Sequence, residues 1–338
     1  MKGRLKTVAV RGAASALVLA SLLFGWAASQ TRGAAHFLSG RSAGQGATAT
    51  TRQSATATRQ AATLPSPARL IESGGRGLLV KTWVNGVGPF SFAVDTGAGA
   101  TILSPRVASA ARVEVEDGGR GIEVGGLSGA SRGGGQKAFV RSVSVGTREN
   151  TLPARGLAIV APGLPTDVDG VLDPTEAFSP YGYVIDIPRG ELSAFDPRTQ
   201  PLRKSDATPG GAVVPWLTEA GSRRPFVMLA EGRRALLDTG SGFGLAVDDT
   251  AARTLGLLIT EGRRRGSSRD IAGGEIHAQR VRSATVTVGP LVLRGVPTDY
   301  LLHAQKGAPV ILGRDALRPF RLTFDPASRL VMFEPVEN

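Results

Sequence analysis

Apolar and polar positions in this chain alternate in short runs, and nowhere do they hold a helical period for long. Phe90-Ser91-Phe92-Ala93-Val94, Arg141-Ser142-Val143-Ser144-Val145 and Ala284-Thr285-Val286-Thr287-Val288 keep the period-two spacing of strands with one buried face. Ala235-Leu236-Leu237, Gly170-Val171-Leu172 and Val310-Ile311-Leu312-Gly313 are continuous apolar segments, as expected of strands buried on both faces. Gly and Pro punctuate the intervals, so the pattern predicts an all-β body of short strands and tight turns. Helices are expected only as one short piece per half. Ser104-Pro105 would open the first with proline near its start, and Asp248 or Asp249 would cap the second.

The pattern also repeats. From about Leu70 the chain runs through a strand, an Asp-Thr-Gly triplet (Asp95-Thr96-Gly97), a Gly-rich stretch, an alternating strand and an apolar segment, closing at Asp186–Phe195. The same order recurs around Asp238-Thr239-Gly240 and closes at Asp325–Phe333. Residues 69–200 and 211–338 therefore read as two matched lobes, with the polar, turn-rich residues 201–210 as linker.

The first 68 residues follow different rules. Lys2, Arg4, Lys6 and Arg11 precede a nearly unbroken apolar run, Ala13 to Ala27, with small residues Gly25, Ala27 and Ala28 at its end. Residues 1–28 are expected to be an export signal, with an uncleaved N-terminal anchor as the alternative; the implied location is periplasmic or secreted, or tethered to a membrane. Residues 29–68 are poor in bulky apolar side chains and rich in Ala, Thr, Ser, Gln and Arg, a composition that predicts a disordered tether. Gly40-Arg41-Ser42-Ala43-Gly44 within it imitates a serine-hydrolase elbow, but that motif needs a strained strand-to-helix turn.

Composition narrows the chemistry. The 338 residues contain no cysteine, which excludes thiol nucleophiles, thiolate metal sites and disulfides. The formal charge of +12 comes from arginines scattered over turns and not interleaved with aromatics, so a nucleic-acid groove is not expected. His36, His277 and His303 lack metal-ligand spacing, and Asp167, Asp169 and Asp173 lack the alternation of a calcium loop. No metal or cofactor is expected. What remains is a pair of carboxylates, each at the end of a buried strand. Held close together, two such acids cannot both ionise cheaply and share one proton. The ionised acid can then activate a water while the neutral one donates to the carbonyl oxygen of an amide. Neither a metal nor a covalent intermediate is needed.

The arrangement resembles the aspartic proteases of the pepsin and retropepsin type, in particular single-chain, exported bacterial relatives. The likeness rests on Asn85-Gly86-Val87-Gly88-Pro89-Phe90, Asp95-Thr96-Gly97-Ala98 with Thr101-Ile102-Leu103, Asp238-Thr239-Gly240-Ser241 and Ile311-Leu312-Gly313-Arg314-Asp315. It covers nearly everything from Leu70 to Pro335. It implies an acid protease fold of two pseudo-symmetric, barrel-like lobes with a cleft between them, and an endopeptidase whose catalytic acids are Asp95 and Asp238. Thr96, Gly97, Thr239, Gly240 and Ser241 would support the pair, with the threonine hydroxyls interlocking across the lobes. The Ser241 hydroxyl would donate to a carboxylate where Ala98 cannot, leaving Asp238 the charge and Asp95 the proton. Gly126, Leu127, Ser128 and Gly129 would lie in a flap, with 262–274 as its weaker counterpart. The expected partner is a peptide or protein substrate, and one chain should suffice as a monomer.

Two departures carry the alternative, a peptide-binding protein without turnover. Asp173 stands where the first lobe should have the glycine that the second has at Gly313. Gly99 and Gly242 occupy positions where retropepsins often place an acid that pairs with the loop arginine, so Arg314 needs another partner.

Overall fold

Period-two burial is clearest in the long hairpin of the second half, Glu275–Val288 with Leu291–Leu302, where alternate side chains along much of each strand enter the core. The computed structural model describes residues 63–73, 77–116, 122–128, 133–165, 167–219, 222–259, 262–265, 268–270, 274–304 and 308–336. Residues 1–28, most of the segment expected to be a tether, and Gly129 of the expected flap lie outside the described residues.

The body is all-β with a few short helices, and its strands form two sheets. The elements that matter most for the site are the continuous apolar segments. Gly170–Leu172 runs parallel to Val87–Val94, pairing Leu172 with Val94, and Val310–Gly313 runs parallel to Arg234–Asp238, pairing Leu312 with Leu237. Each is flanked on its other side by the short strand that follows an Asp-Thr-Gly turn, Ile102–Leu103 or Leu245–Val247. Being covered on both faces, they are buried at every position, and Leu172 and Leu312 pack with the equally buried Phe92, Val94 and Leu237 of the neighbouring strands. Each such side chain stabilises the fold by about 1.5–3 kcal/mol through loss of apolar surface from water.

The halves meet in a shared sheet. Where they meet, its strands run Ala212–Pro215, Leu330–Pro335, Phe320–Asp325, Gly182–Asp186, Glu191–Phe195, Ala68–Ser73, and the sheet continues from there into the first half. The central pairing is antiparallel, with Tyr183 opposite Phe324 and Ile185 opposite Leu322, so the two closing hairpins lie side by side. The rings of Tyr183 and Phe324 stack at 4.7 Å, and Trp216 meets Phe324 edge-on at 6.0 Å. Residues 201–210 dock on this sheet: Leu202 is buried, its N–H donates to Asp325 Oδ2 at 2.9 Å, and Lys204–Asp206 forms a 3-10 turn.

Both expected helices form. Ser104 caps Pro105–Ala110 by accepting from the Val107 N–H at 3.3 Å, and Asp248 caps Asp249–Thr254 by accepting from Ala251 at 2.7 Å; such caps contribute about 1 kcal/mol each. Two further helices of four residues, Pro174–Ala177 and Arg314–Leu317, follow the crossing strands directly. Their shortness leaves no periodic signal in the sequence.

Candidate active site

A strand that ends in a buried acid needs donors for that acid, and each turn supplies them from its own backbone. Asp95 and Asp238 are 1% and 0% exposed. The Gly97 N–H donates to Asp95 Oδ1 at 2.7 Å, and the Ser241 N–H donates to Asp238 Oδ1 at 2.9 Å. The expected hydroxyl donation from Ser241 gives way to this amide; the hydroxyl oxygen instead accepts from the Phe243 N–H at 3.3 Å. The crossing strand anchors the first turn through the Asp95 N–H, which donates to Leu172 O at 3.0 Å.

The two turns are locked face to face. Thr96 Oγ1 donates to Leu237 O at 2.6 Å, and Thr239 Oγ1 donates to Val94 O at 3.0 Å. Each hydroxyl also accepts the other threonine's N–H, at 3.1 and 3.2 Å. Four reciprocal bonds between residues about 140 positions apart fix the separation of the turns. The glycines are tied to the same geometry. A Cβ at Gly97 would lie 2.8 Å from the Asp238 carboxyl carbon, and one at Gly240 would collide with the Asp95 carboxyl. Each carboxyl therefore lies against the bare backbone of the opposite turn.

Among the described residues, no donor reaches Oδ2 of either acid, and the two carboxyls are close enough to bond to each other. One proton between them satisfies both. Burial raises the proton affinity of Asp95 well above the usual carboxylate range; the Asp238 charge and the hydrogen bond between the acids add to it. Burial raises Asp238 as well, but the hydrogen bond from Asp95, the Ser241 N–H and the charge of Arg314 all oppose the rise. Both acids are thus raised and titrate as a unit that holds one proton between them.

Arginines brace the turns from behind. Arg314, 3% exposed at its side chain, donates Nη1 to Thr239 O at 2.9 Å and Nε to Glu72 Oε1 at 3.2 Å. Glu72 is thus the partner that Gly242 does not provide. Gly242 offers only its carbonyl, which accepts from Arg265 Nη2 at 3.0 Å; Arg265 also pairs with the buried Asp299 and lies over the Phe243 ring. Under the first turn, the buried Arg224 lays its stem against Gly99, whose φ of +74° suits a residue without a side chain. Its Nη2 reaches Glu219 at 3.3 Å and its Nε reaches Ser222 Oγ at 3.1 Å. Sequence reasoning passed over Arg224, Arg265, Asp299 and Glu72, none of which lies in a recognisable motif.

Of the expected flap residues, Leu127 and Ser128 lie against the second half. Leu127 is 3% exposed and packs with Phe243, Ile276, Leu301 and Ile311. The Ser128 N–H donates at 3.0 Å to Asp270 Oδ2, while Asp270 Oδ1 accepts from Gly274 across its own turn at 2.8 Å. Gly126 leaves no room for a Cβ beside the same carboxylate. The two Gly-rich segments therefore touch through Asp270, another residue without a sequence signal of its own.

Both halves match aspartyl protease models. The gag-polyprotein putative aspartyl protease family matches residues 80–167, and a family described as Aspartyl protease matches residues 231–316. No curated protein matches the chain. The two matches support a retropepsin-like family and an aspartic peptidase activity, and the all-β, two-sheet body fits the bilobal aspartic protease fold. Each matched segment contains one of the two Asp-Thr-Gly turns.

Proposed function

We propose that the protein is an aspartic endopeptidase that hydrolyses peptide bonds with a water activated between Asp95 and Asp238. Ionised Asp238 takes a proton from the water as its oxygen attacks the scissile carbonyl carbon. Protonated Asp95 donates to the carbonyl oxygen, giving a neutral diol intermediate. The roles then reverse: the proton gained by Asp238 passes to the leaving nitrogen, and Asp95 recovers its own as the carbonyl reforms. Gly97 and Ser241 hold the acids by their amides, and the Thr96–Thr239 lock keeps them at a separation that one shared proton can bridge. Leu127 and Ser128 belong to a flap that excludes water from the pair once substrate is bound. Substrate is an extended peptide held by strand-like hydrogen bonds in the cleft. The protein acts outside the cytoplasm as a monomer, exported by residues 1–28 or held at the membrane by them.

The observation that carries this reading is the placement of two buried carboxyls against each other's glycines. Digestion of a peptide library between mildly acidic and neutral pH tests it. Cleavage by the unaltered protein, abolished in both Asp95→Asn and Asp238→Asn, is the expected result. If the unaltered protein cleaves nothing but retains peptides, the fold serves binding alone.

A further inference from the structure

Asp173 occupies the place in the first half that Gly313 occupies in the second. Leu172 lies opposite Val94 as Leu312 lies opposite Leu237, so the next residue in each crossing strand falls behind the acid of its turn. Behind Asp238 there is no space: a Cβ on Gly313 would collide with Phe243 O and crowd Ser241. Behind Asp95 the fold makes room for a whole carboxyl group, 2% exposed. Its Oδ1 accepts the Thr175 N–H at 2.9 Å, capping Pro174–Ala177, and its own N–H points to Thr101 Oγ1 at 3.4 Å.

The groups facing this carboxyl come from four elements. Asp95 ends Val87–Val94, Glu176 lies in the helix that Asp173 caps, and Tyr183 lies in Gly182–Asp186. Arg224 approaches from the second half, 4% exposed, and its charge reaches Asp95, Asp173 and Asp238 together. Arg224 Nη1 has no hydrogen-bond partner among the described residues, so its cationic end interacts with these acids through space. Glu176 is held by accepting the Thr101 N–H at 3.3 Å, on the loop that leads away from the Asp95 turn.

We propose that Asp173 is a positioning residue for the proton of the Asp95–Asp238 pair: its carboxylate, once formed, opposes ionisation of Asp95 and keeps that acid the protonated member at neutral pH. The inference rests on the peptidase reading for its consequence in catalysis, not for its electrostatics. Burial first, and then the charge of Glu176, push the Asp173 acid up to about 7, against the Thr175 N–H, which favours its ionised form. Below that pH Asp173 is neutral and silent. Above it, a negative charge stands behind Asp95, whose proton affinity burial already raises, and adds to the cost of ionising that acid. Asp173 thereby extends towards neutral pH the range over which the pair holds one proton. Asp173 touches no reacting atom; it acts through Asp95.

The test is Asp173→Asn in the full chain, with aspartate carboxyl carbons followed by 13C NMR titration beside the pH profile of kcat/KM. Asparagine retains an oxygen to cap Thr175 and cannot ionise. The expected result is a lower titration midpoint for Asp95 and a fall of at least about threefold in kcat/KM at pH 7.5 relative to pH 5, in comparison with the unaltered protein. An Asp95 midpoint that stays in place in the folded variant overturns the proposal. Should asparagine not fold, Asp173→Ser, whose hydroxyl can cap the same helix, gives the same reading. A midpoint that falls in a protein without cleavage activity upholds the role of Asp173 and removes the peptidase reading instead.

Discussion

Behind Asp238 the crossing strand ends in Gly313 and leads straight to Arg314, whose guanidinium bonds the carbonyl of the same turn and reaches Glu72 in the other half. Behind Asp95 the equivalent strand ends in Leu172, Asp173 and a proline follow, and the arginine beneath the turn is Arg224, contributed by the other half. The backbones of the two turns correspond in register and lock, though the amide that holds the acid is Gly97 in one and Ser241 in the other; their charges do not correspond. One acid faces a bonded cation, and the other faces a second acid and a more loosely held cation. The fold copies geometry between halves, and the side chains behind the turns then decide which acid holds the proton.

The strongest way to break the comparison is to remove the acids. Asp95→Asn and Asp238→Asn should each lower kcat/KM by about 10³-fold or more, the scale of a lost general acid or base. Each variant leaves one acid as the sole base, so residual turnover should follow ionisation of Asp95 in Asp238→Asn and of Asp238 in Asp95→Asn. Superimposable pH profiles for the two variants would show that the halves are electrostatically equal.

Stability reports the same asymmetry. An acid raised by folding, as Asp173 is from 3.8 to about 7, binds its proton more tightly in the native than in the unfolded chain. Its favourable contribution is complete below the unfolded value and is lost as pH rises through the folded one, so unfolding free energy should decline between pH 4 and pH 7. Asp95 and Asp238, both raised, act with the same sign. For Asp173 alone the decline is at most about 4 kcal/mol, and relaxation around the charge reduces it. Urea unfolding across this range should give a shallower slope in Asp173→Asn; an unchanged slope would place the Asp173 titration in the ordinary range.

The arginines should separate next. Arg314→Met removes the donor to Thr239 O and leaves Glu72 with Arg318 as its remaining partner, a loss of about 2–3 kcal/mol after discount for the partial exposure of Glu72. Arg224→Met should cost less, about 1–2 kcal/mol, because Glu219 keeps Arg234 and one nitrogen of Arg224 forms no hydrogen bond to lose. A reversed order in denaturant midpoints would mean that Arg224, and not Arg314, is the principal brace.

The turns and their crossing strands were legible in the sequence because continuous apolar runs ending in Asp-Thr-Gly can be buried in few ways. The short caps were legible too, since Ser104-Pro105 and Asp248 carry their own local signals. Asp173 could be singled out by alignment of one half on the other, and its structural consequence follows from the same register. Arg224, Asp270 and Asp299 could not. Their partners Gly99, Ser128 and Arg265 lie far away along the chain or sit in Gly- and Arg-rich stretches where many pairings are equally consistent with composition. Local pattern encodes the elements and their turns, while contacts between loops are fixed only once the halves are packed.

The finest discrimination comes from the threonine lock, where the halves should behave alike. Thr96→Val and Thr239→Val each remove one hydroxyl that donates to a carbonyl of the opposite turn and accepts an N–H from it, in a region that no water reaches to compensate. Each deletion leaves a buried carbonyl and a buried N–H short of a partner, which costs about 1–3 kcal/mol, with the valine methyl recovering part through apolar contact. Because the four bonds are reciprocal, the two single variants should match within about 0.5 kcal/mol, and the double variant should cost less than their sum, since loss of one hydroxyl's two bonds already lets the turns move apart and weakens the other two. Additive losses in a thermodynamic cycle would mean that the hydroxyls act independently, and that the separation of Asp95 from Asp238 is set by the crossing strands alone.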